Sequence, residues 1–280
     1  MEVEARVRIL VANDDGIYSP GLATLARVAA RYGDVRVVAP DIEQSSASHS
    51  ISSAKPLSYR RTKIIPGVEA YRVNGTPADC VALGAHNWQK VDVVLSGINL
   101  GPNLGNALWH SGTLAAAKQA ALLGMRGIAL STPVVGEEPD LAPLEEHVAR
   151  VLDLLLPRTS LKLVNVNFPP QPRGICWTRQ AVSQYDGRVV PAQDPMGRRH
   201  FWFTVVPLES PPEGTDLWAV SRGYISITPL RLDLTNHGEL ERIGSAGATI
   251  EFDPTAGEPR PELVVDEEEE AEPTEEVARR

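Results

Sequence analysis

The sequence is poor in cysteine, with two in 280 residues, Cys80 and Cys176. They cannot supply a disulfide framework, and neither has a second cysteine or a histidine at zinc-binding spacing. Cys80 falls within an apolar helical pattern and reads as a small core residue. Surplus positive charge is missing too. The formal net charge is -9, but eleven acids and three arginines lie between Asp253 and Arg280, leaving 25 acids and 24 bases for the other 252 residues. A body so near neutrality has no polycationic footprint for duplex nucleic acid. Uninterrupted apolar runs are also lacking. Val93 to Ala117 carries no charged side chain, but four glycines, three asparagines and a proline break it up, a loop composition that fits a membrane span poorly. Met1-Glu2-Val3-Glu4 is acidic and lacks an apolar signal segment, so a cytoplasmic location is expected. There is no internal repeat. The first turn has no G-x-G-x-x-G, which argues against a dinucleotide-binding oxidoreductase.

What remains is an ordinary globular composition, 42% hydrophobic and 22% charged. The first half alternates short apolar runs with helical patterns. Val7 to Val11, Val35 to Ala39, Val91 to Leu95, Gly127 to Ser131 and Leu163 to Val166 read as strands buried on both faces. Helices are expected after Ser19-Pro20, Thr76-Pro77 and Ser111, and over the amphipathic stretch Leu141 to Leu155. Strands alternating with helices predict a parallel sheet covered on both sides. From Cys176 the pattern shifts to short β-prone runs, Trp202 to Val206, Ala219-Val220 and Tyr224 to Ile227, which predict an appended β region making subunit contacts. The segment from Asp253, including Glu267 to Glu270, is too polar to fold and reads as a disordered, solubilising tail.

The most informative stretch is Ile9-Leu10-Val11-Ala12-Asn13-Asp14-Asp15-Gly16, an apolar strand breaking into two adjacent carboxylates. In open α/β sheets, ligands bind just outside the carboxyl ends of the strands. Two carboxylates side by side repel unless a cation sits between them or water screens them. Asp and Gly are also common turn and cap residues, but Ser19-Pro20 already supplies the next helix start. Two further strand ends carry oxygen-bearing side chains: Asp41 with Ser45-Ser46-Ala47-Ser48-His49-Ser50, and Ser96-Gly97-Ile98-Asn99. Carboxylate, hydroxyl and amide oxygens suit Mg²⁺ or Mn²⁺ better than zinc. Gly97, Gly101, Gly105 and Gly112 leave backbone amides accessible, and Ser111-Gly112-Thr113 opens a helix whose N-terminus attracts anions. Cation and anion sites side by side point to metal-assisted phosphate ester chemistry.

Five segments carry a family resemblance. They are Asn13-Asp14-Asp15-Gly16-Ile17 with Pro20-Gly21; Ala39-Pro40-Asp41 with Ser45 and His49-Ser50-Ile51; Asn74-Gly75-Thr76-Pro77-Ala78-Asp79-Cys80-Val81; Ser96-Gly97-Ile98-Asn99 with Gly101, Asn103 and Gly105; and Ser111-Gly112-Thr113. In this order they closely resemble the SurE family, stationary-phase survival proteins that act as nucleoside 5'/3'-monophosphate phosphatases. The resemblance runs from Arg8 to the neighbourhood of Glu239 and takes in Tyr224-Ile225-Ser226-Ile227-Thr228-Pro229-Leu230. It implies a Rossmann-like, three-layer α/β/α fold with a mostly parallel sheet and an appended C-terminal β region. Residues 1–252 would form one domain, with 176–240 as the β and oligomerisation region and 253–280 as the tail. It also implies a Mg²⁺ or Mn²⁺ cofactor, a nucleoside monophosphate substrate, and homodimers or homotetramers. By position the metal ligands fall on Asp14, Asp15, Ser45 and Asn99. The substrate contacts fall on Ser111, Gly112 and Thr113, with Asn99 beside them. Asp14 is the expected general base. His49, in the motif loop, is expected to steady a phosphate oxygen or protonate the leaving alkoxide, with a hydrogen bond inside the loop as the alternative.

The chain departs from the family pattern at Asn106-Ala107, where many members carry an acidic pair, and at Gln119-Ala120, where Glu-Gly is frequent. None of these is a ligand on the mapping above. Two other functions share parts of the pattern. A haloacid-dehalogenase-type phosphatase needs a nucleophilic aspartate two residues before a second one. Counting back from Asp15 reaches Asn13, an amide that cannot form an aspartyl phosphate, and counting on from Asp14 reaches Gly16. A non-catalytic, metal-dependent nucleotide-binding module would carry the same binding groups and is separated only by turnover.

Overall fold

The computed structural model describes residues 6–134, 136, 140–182, 187–205, 210–244 and 247. In chain order the elements are β1 (Val7–Ala12), α1 (Pro20–Ala29), β2 (Gly33–Pro40), β3 (Tyr59–Thr62), β4 (Glu69–Val73), α2 (Pro77–Trp88), β5 (Val93–Leu100), α3 (Gly112–Leu122), β6 (Arg126–Thr132), α4 (Leu144–Leu155), β7 (Leu163–Asn167), β8 (Gly174–Trp177), β9 (Gly187–Gln193), β10 (Arg199–Val205), α5 (Asp216–Ser221), β11 (Tyr224–Pro229) and α6 (His237–Arg242). One compact unit spans Met1–Asp233, and α6 belongs to a second, Leu234–Arg280. The acidic tail from Asp253 lies outside the described residues.

Among the described residues, nine strands form one sheet in the order β3-β4-β2-β1-β5-β6-β7-β11-β8. The run from β4 to β7 is parallel throughout. Alternation along β1 sorts the core into layers. Ile9 and Val11 join Leu22, Leu25, Val148 and Leu152 from α1 and α4 on one face. Leu10 and Ala12 join Cys80, Val81, Ala116 and Ala120 from α2 and α3 on the other. The expected Rossmann-like α/β/α fold is thus borne out. The chain leaves β1 toward β2 and β4, then crosses back to place β5 on the other side of β1. A ligand crevice is expected at such a reversal, beyond the carboxyl ends of β1 and β5.

Local sequence explains the helix starts unequally. Thr76 and Asp79 form a reciprocal capping box at α2, with Thr76 Oγ1 accepting from the Asp79 N–H at 3.1 Å and Asp79 Oδ2 from the Thr76 N–H at 2.9 Å. Ser19 holds the N-cap position of α1, but its side chain makes no cap hydrogen bond and its hydroxyl is buried without a partner. Pro20 alone sets that start.

Two sequence expectations are corrected. Strand β5 does not break at Ser96. It continues to Leu100, with its register against β6 shifting between Ser96 and Asn99. Gly97 permits this, since a Cβ there would lie 2.2 Å from the Leu130 carbonyl oxygen. The β-prone runs after Cys176 also divide differently. Ala219-Val220 lies in α5, while β8 and β11 extend the main sheet, β11 antiparallel to β7. Ser226 and Thr228 are buried and lie 2.8 and 2.7 Å from the Thr178 hydroxyl. Among the described strands, β9 and β10 stand apart from the main sheet, as an antiparallel hairpin.

Candidate active site

Strands β2, β1 and β5 are neighbours, so the three oxygen-bearing strand ends do converge. Asp14 follows β1 and is only 5% exposed. Its Oδ1 accepts the Thr113 hydroxyl at 2.7 Å. Burial raises its pKa above the ordinary carboxylate value, against the lowering effect of Thr113. Asp15 is pushed up to about 7, first by burial and then by the Asp14 charge, with the Leu100 backbone N–H pulling the other way. Three polar oxygens at or beside this strand end are buried with no hydrogen-bond partner: Asn13 Oδ1, Asp15 Oδ2 and Ser96 Oγ. Such groups cost free energy unless something else satisfies them.

The loop after β2 folds over this pair. The Gln44 N–H donates to the Asp14 carbonyl at 2.8 Å, and the Ile17 N–H to the Pro40 carbonyl at 2.8 Å. This brings in a third acid, Glu43, whose charge adds to the upward shift of both aspartates. The Ser45 hydroxyl donates to Glu43 Oε1. Farther along, the Ser48 N–H and hydroxyl donate to the carbonyls of His110 and Trp109 at 3.1 and 2.8 Å. His49 Nε2 lies 2.9 Å from Gln119 Oε1 on α3, so His49 is partnered across the loop by one of the residues that depart from the family pattern. On the β5 side, Asn99 Nδ2 donates to the Gly101 carbonyl at 2.7 Å. With its amide nitrogen so used, Oδ1 is the acceptor atom left on the side chain.

The N-terminus of α3 closes the site. Ser111 caps it, its Oγ accepting from the Leu114 N–H at 3.0 Å. Gly112 is required by close approach: a Cβ there would sit 2.8 Å from Asp14 Cβ and 2.9 Å from Asp14 Oδ2. The Thr113 hydroxyl gives its one proton to Asp14 and lies 3.3 Å from Asn103 Nδ2, and the Thr113 backbone N–H also donates to the Asp14 carboxyl. Glu43 and Asn103 are the participants that sequence reasoning assigned no role. Glu43 gives no signal beyond standing two residues before Ser45. Asn103 was visible only as part of the Gly101…Gly105 loop.

A parallel α/β sheet with acids, hydroxyls and amides gathered at its switch point defines a Rossmann-like protein with an oxygen-lined, electronegative crevice. Residues 9–187 match the family model for survival protein SurE, and the chain belongs to that family. It is 46% identical over 242 residues to a Thermus thermophilus protein named 5'-nucleotidase SurE 1, covering 85% of this chain and 96% of that one. It is 44% identical to 5'-nucleotidase SurE of Deinococcus radiodurans, over 82% of this chain and 89% of that one. A crystal structure of the SurE protein from Aquifex aeolicus superposes with a TM-score of 0.72 at 37% identity, covering 84% of this chain and 98% of that one.

Proposed function

We propose that the protein is a divalent-cation-dependent phosphatase that hydrolyses nucleoside monophosphates to nucleoside and phosphate, acting on 5'-esters and extending to 3'-esters. The observation that carries this is the Asp14–Asp15 pair, Asp14 buried and Asp15 half-buried, with both carboxyls raised by burial and orphaned oxygens beside them. A hard cation relieves the like-charge contact and satisfies those oxygens together. The names of the relatives supply the substrate class.

Asp14, Asp15, Ser45 and Asn99 would hold Mg²⁺ or Mn²⁺, an all-oxygen donor set of the kind these ions prefer. Such an ion polarises a phosphoryl oxygen and makes nearby water more acidic. Asp14, its proton affinity raised by burial, takes the proton from the attacking water. The N-terminus of α3, around Ser111, Gly112 and Thr113, receives the phosphate, and the Asn99 side chain lies beside it. His49, held by Gln119, faces the phosphate or the leaving oxygen.

Assembly into homodimers or homotetramers, through a second copy of this chain, is supported by the β9–β10 hairpin. Phe201 and Trp202 on it are 67% and 65% exposed, and a lone two-stranded ribbon is marginal in water. No helix among the described residues is long and apolar enough to cross a membrane. The near-neutral body favours a small anionic ester over duplex nucleic acid, and a cytoplasmic setting fits both. The test is phosphate release from a nucleoside 5'-monophosphate and from p-nitrophenyl phosphate, with Mn²⁺ and with EDTA. Cation-dependent release is expected. Nucleotide binding without release would overturn catalysis in favour of a binding module.

A further inference from the structure

Asn103 belongs to neither the ligand set nor the phosphate cradle, yet one of its side-chain hydrogen bonds reaches Thr113 at the start of α3. Its Nδ2 donates to Thr113 Oγ1 at 3.3 Å and to Ser131 Oγ at 2.9 Å. Its backbone N–H donates to Asn167 Oδ1 at 2.8 Å, and its carbonyl accepts from Asn165 Nδ2 and Asn167 Nδ2, both at 2.9 Å. Asn103, Thr113, Ser131, Asn165 and Asn167 are all buried. A network this buried keeps its donors and acceptors fixed in sense.

We infer that Asn103 is a positioning residue that forces the Thr113 hydroxyl to act as donor to Asp14, and so fixes the seat of the Asp14 carboxylate. The argument is one of proton count. Thr113 has one hydroxyl proton. An ionised Asp14 can only accept, so that proton lies in the 2.7 Å contact with Asp14 Oδ1. The Thr113 oxygen must then accept from its other neighbour, which requires the amide nitrogen of Asn103 and not its oxygen. With the Asn103 donor in place, Thr113 cannot turn its proton elsewhere, and Asp14 Oδ1 is held against α3. The backbone of residue 103 is clamped separately by Asn165 and Asn167, so the side chain is free to serve this purpose without carrying the loop.

This inference rests on Asp14 acting at the cation site, and the experiment separates the two. Asn103→Ala, Thr113→Val, the double variant and Ser131→Ala are compared with wild type for kcat and KM on p-nitrophenyl phosphate and for Mn²⁺ affinity, read from the electron paramagnetic resonance of the free ion. Asn103→Ala is expected to lower kcat about 10-fold and to weaken Mn²⁺ binding, while KM stays within about twofold. In the Thr113→Val background, Asn103→Ala should add nothing, because the hydroxyl through which it acts is gone. Ser131→Ala removes the other Nδ2 contact and should lower the melting temperature while sparing kcat. Should Asn103→Ala fail to fold, Asn103→Asp keeps the shape, replaces the donor by a competing acceptor and should show the same kcat loss. Equal losses of kcat and of Mn²⁺ affinity in both Thr113 backgrounds, or an Asn103→Asp variant with full kcat, would overturn the inference. A wild type that binds Mn²⁺ without releasing phosphate would remove the proposed function and leave the coupling readable in Mn²⁺ affinity alone. A wild type that binds no Mn²⁺ would overturn both.

Discussion

Replacing Asp15 by Asn should stabilise the cation-free protein, the reverse of what a turn or cap residue would do. Asn keeps the shape and keeps an oxygen facing the Leu100 N–H, but removes the charge that burial and Asp14 oppose. The Asp15 carboxyl is pushed from 3.8 to about 7. At about 1.4 kcal/mol per unit, this bounds the native-state penalty at about 4 kcal/mol. Asp15 is partly open to solvent, and screening of the exposed portion brings the expected gain to about 1–2 kcal/mol. For a domain of this size that is a rise in melting temperature of roughly 3–6 °C. The pH dependence follows from a folded-state value raised above the unfolded one. The penalty is complete above about pH 7. As pH falls from 7 toward 3.8, the native carboxyl takes up a proton that the unfolded chain does not, so wild type recovers and the gap to Asp15→Asn closes. The assay is a set of thermal melts in EDTA from pH 4.5 to 8, repeated with Mn²⁺. Mn²⁺ should raise the wild-type melting temperature and have little effect on the variant. An Asp15→Asn protein that melts below wild type at pH 8 in EDTA would refute the reasoning.

Gly112→Ala should abolish turnover, because its methyl falls within 2.9 Å of the Asp14 carboxylate, while circular dichroism shows the fold retained. Ser111→Ala loses both a proposed phosphate contact and the cap on Leu114, so kcat/KM should fall together with about 1 kcal/mol of stability by urea titration, whereas Ser111→Gly should recover most of the stability and none of the turnover. Asp216, fully buried, accepts from the N–H groups of Gly105, Ala181 and Leu217 at 2.9, 2.9 and 2.8 Å. Asp216→Ala orphans all three and should cost about 2–4 kcal/mol in a urea titration.

Legibility in the sequence followed the range of the interaction. The β1 strand, its acidic turn, the α2 start at Thr76-Pro77 and the amphipathic α4 are local patterns of period and spacing, and the molecule realises them. The parts that escaped are contacts between distant segments. Glu43 reaches the aspartates only because the loop after β2 folds back onto Asp14. The tie between Thr113 and Asp14 spans 99 residues. Strand β11 was expected in the appended region because it is one of the short β-prone runs that follow Cys176. It sits inside the sheet because Thr178, far away in the chain, meets those hydroxyls. Ser19 had the right residue type and place for a cap, and its hydroxyl is left unpaired beside a proline that already fixes the turn.

The hairpin has a root as well as a tip. The Arg179 N–H donates to the Gly214 carbonyl at 3.1 Å, the Asp216 N–H to the Arg179 carbonyl at 3.0 Å, and the Ala181 N–H to Asp216 Oδ1 at 2.9 Å. The outgoing and returning chains therefore lie side by side before β9 begins and after β10 ends, separated by no more than the usual spacing of paired strands. Everything beyond that root is topologically a detour, entering and leaving the body of the protein through one gate. A detour of this kind can be lengthened or shortened without re-threading the nine-stranded sheet or moving the strand ends that carry the acids.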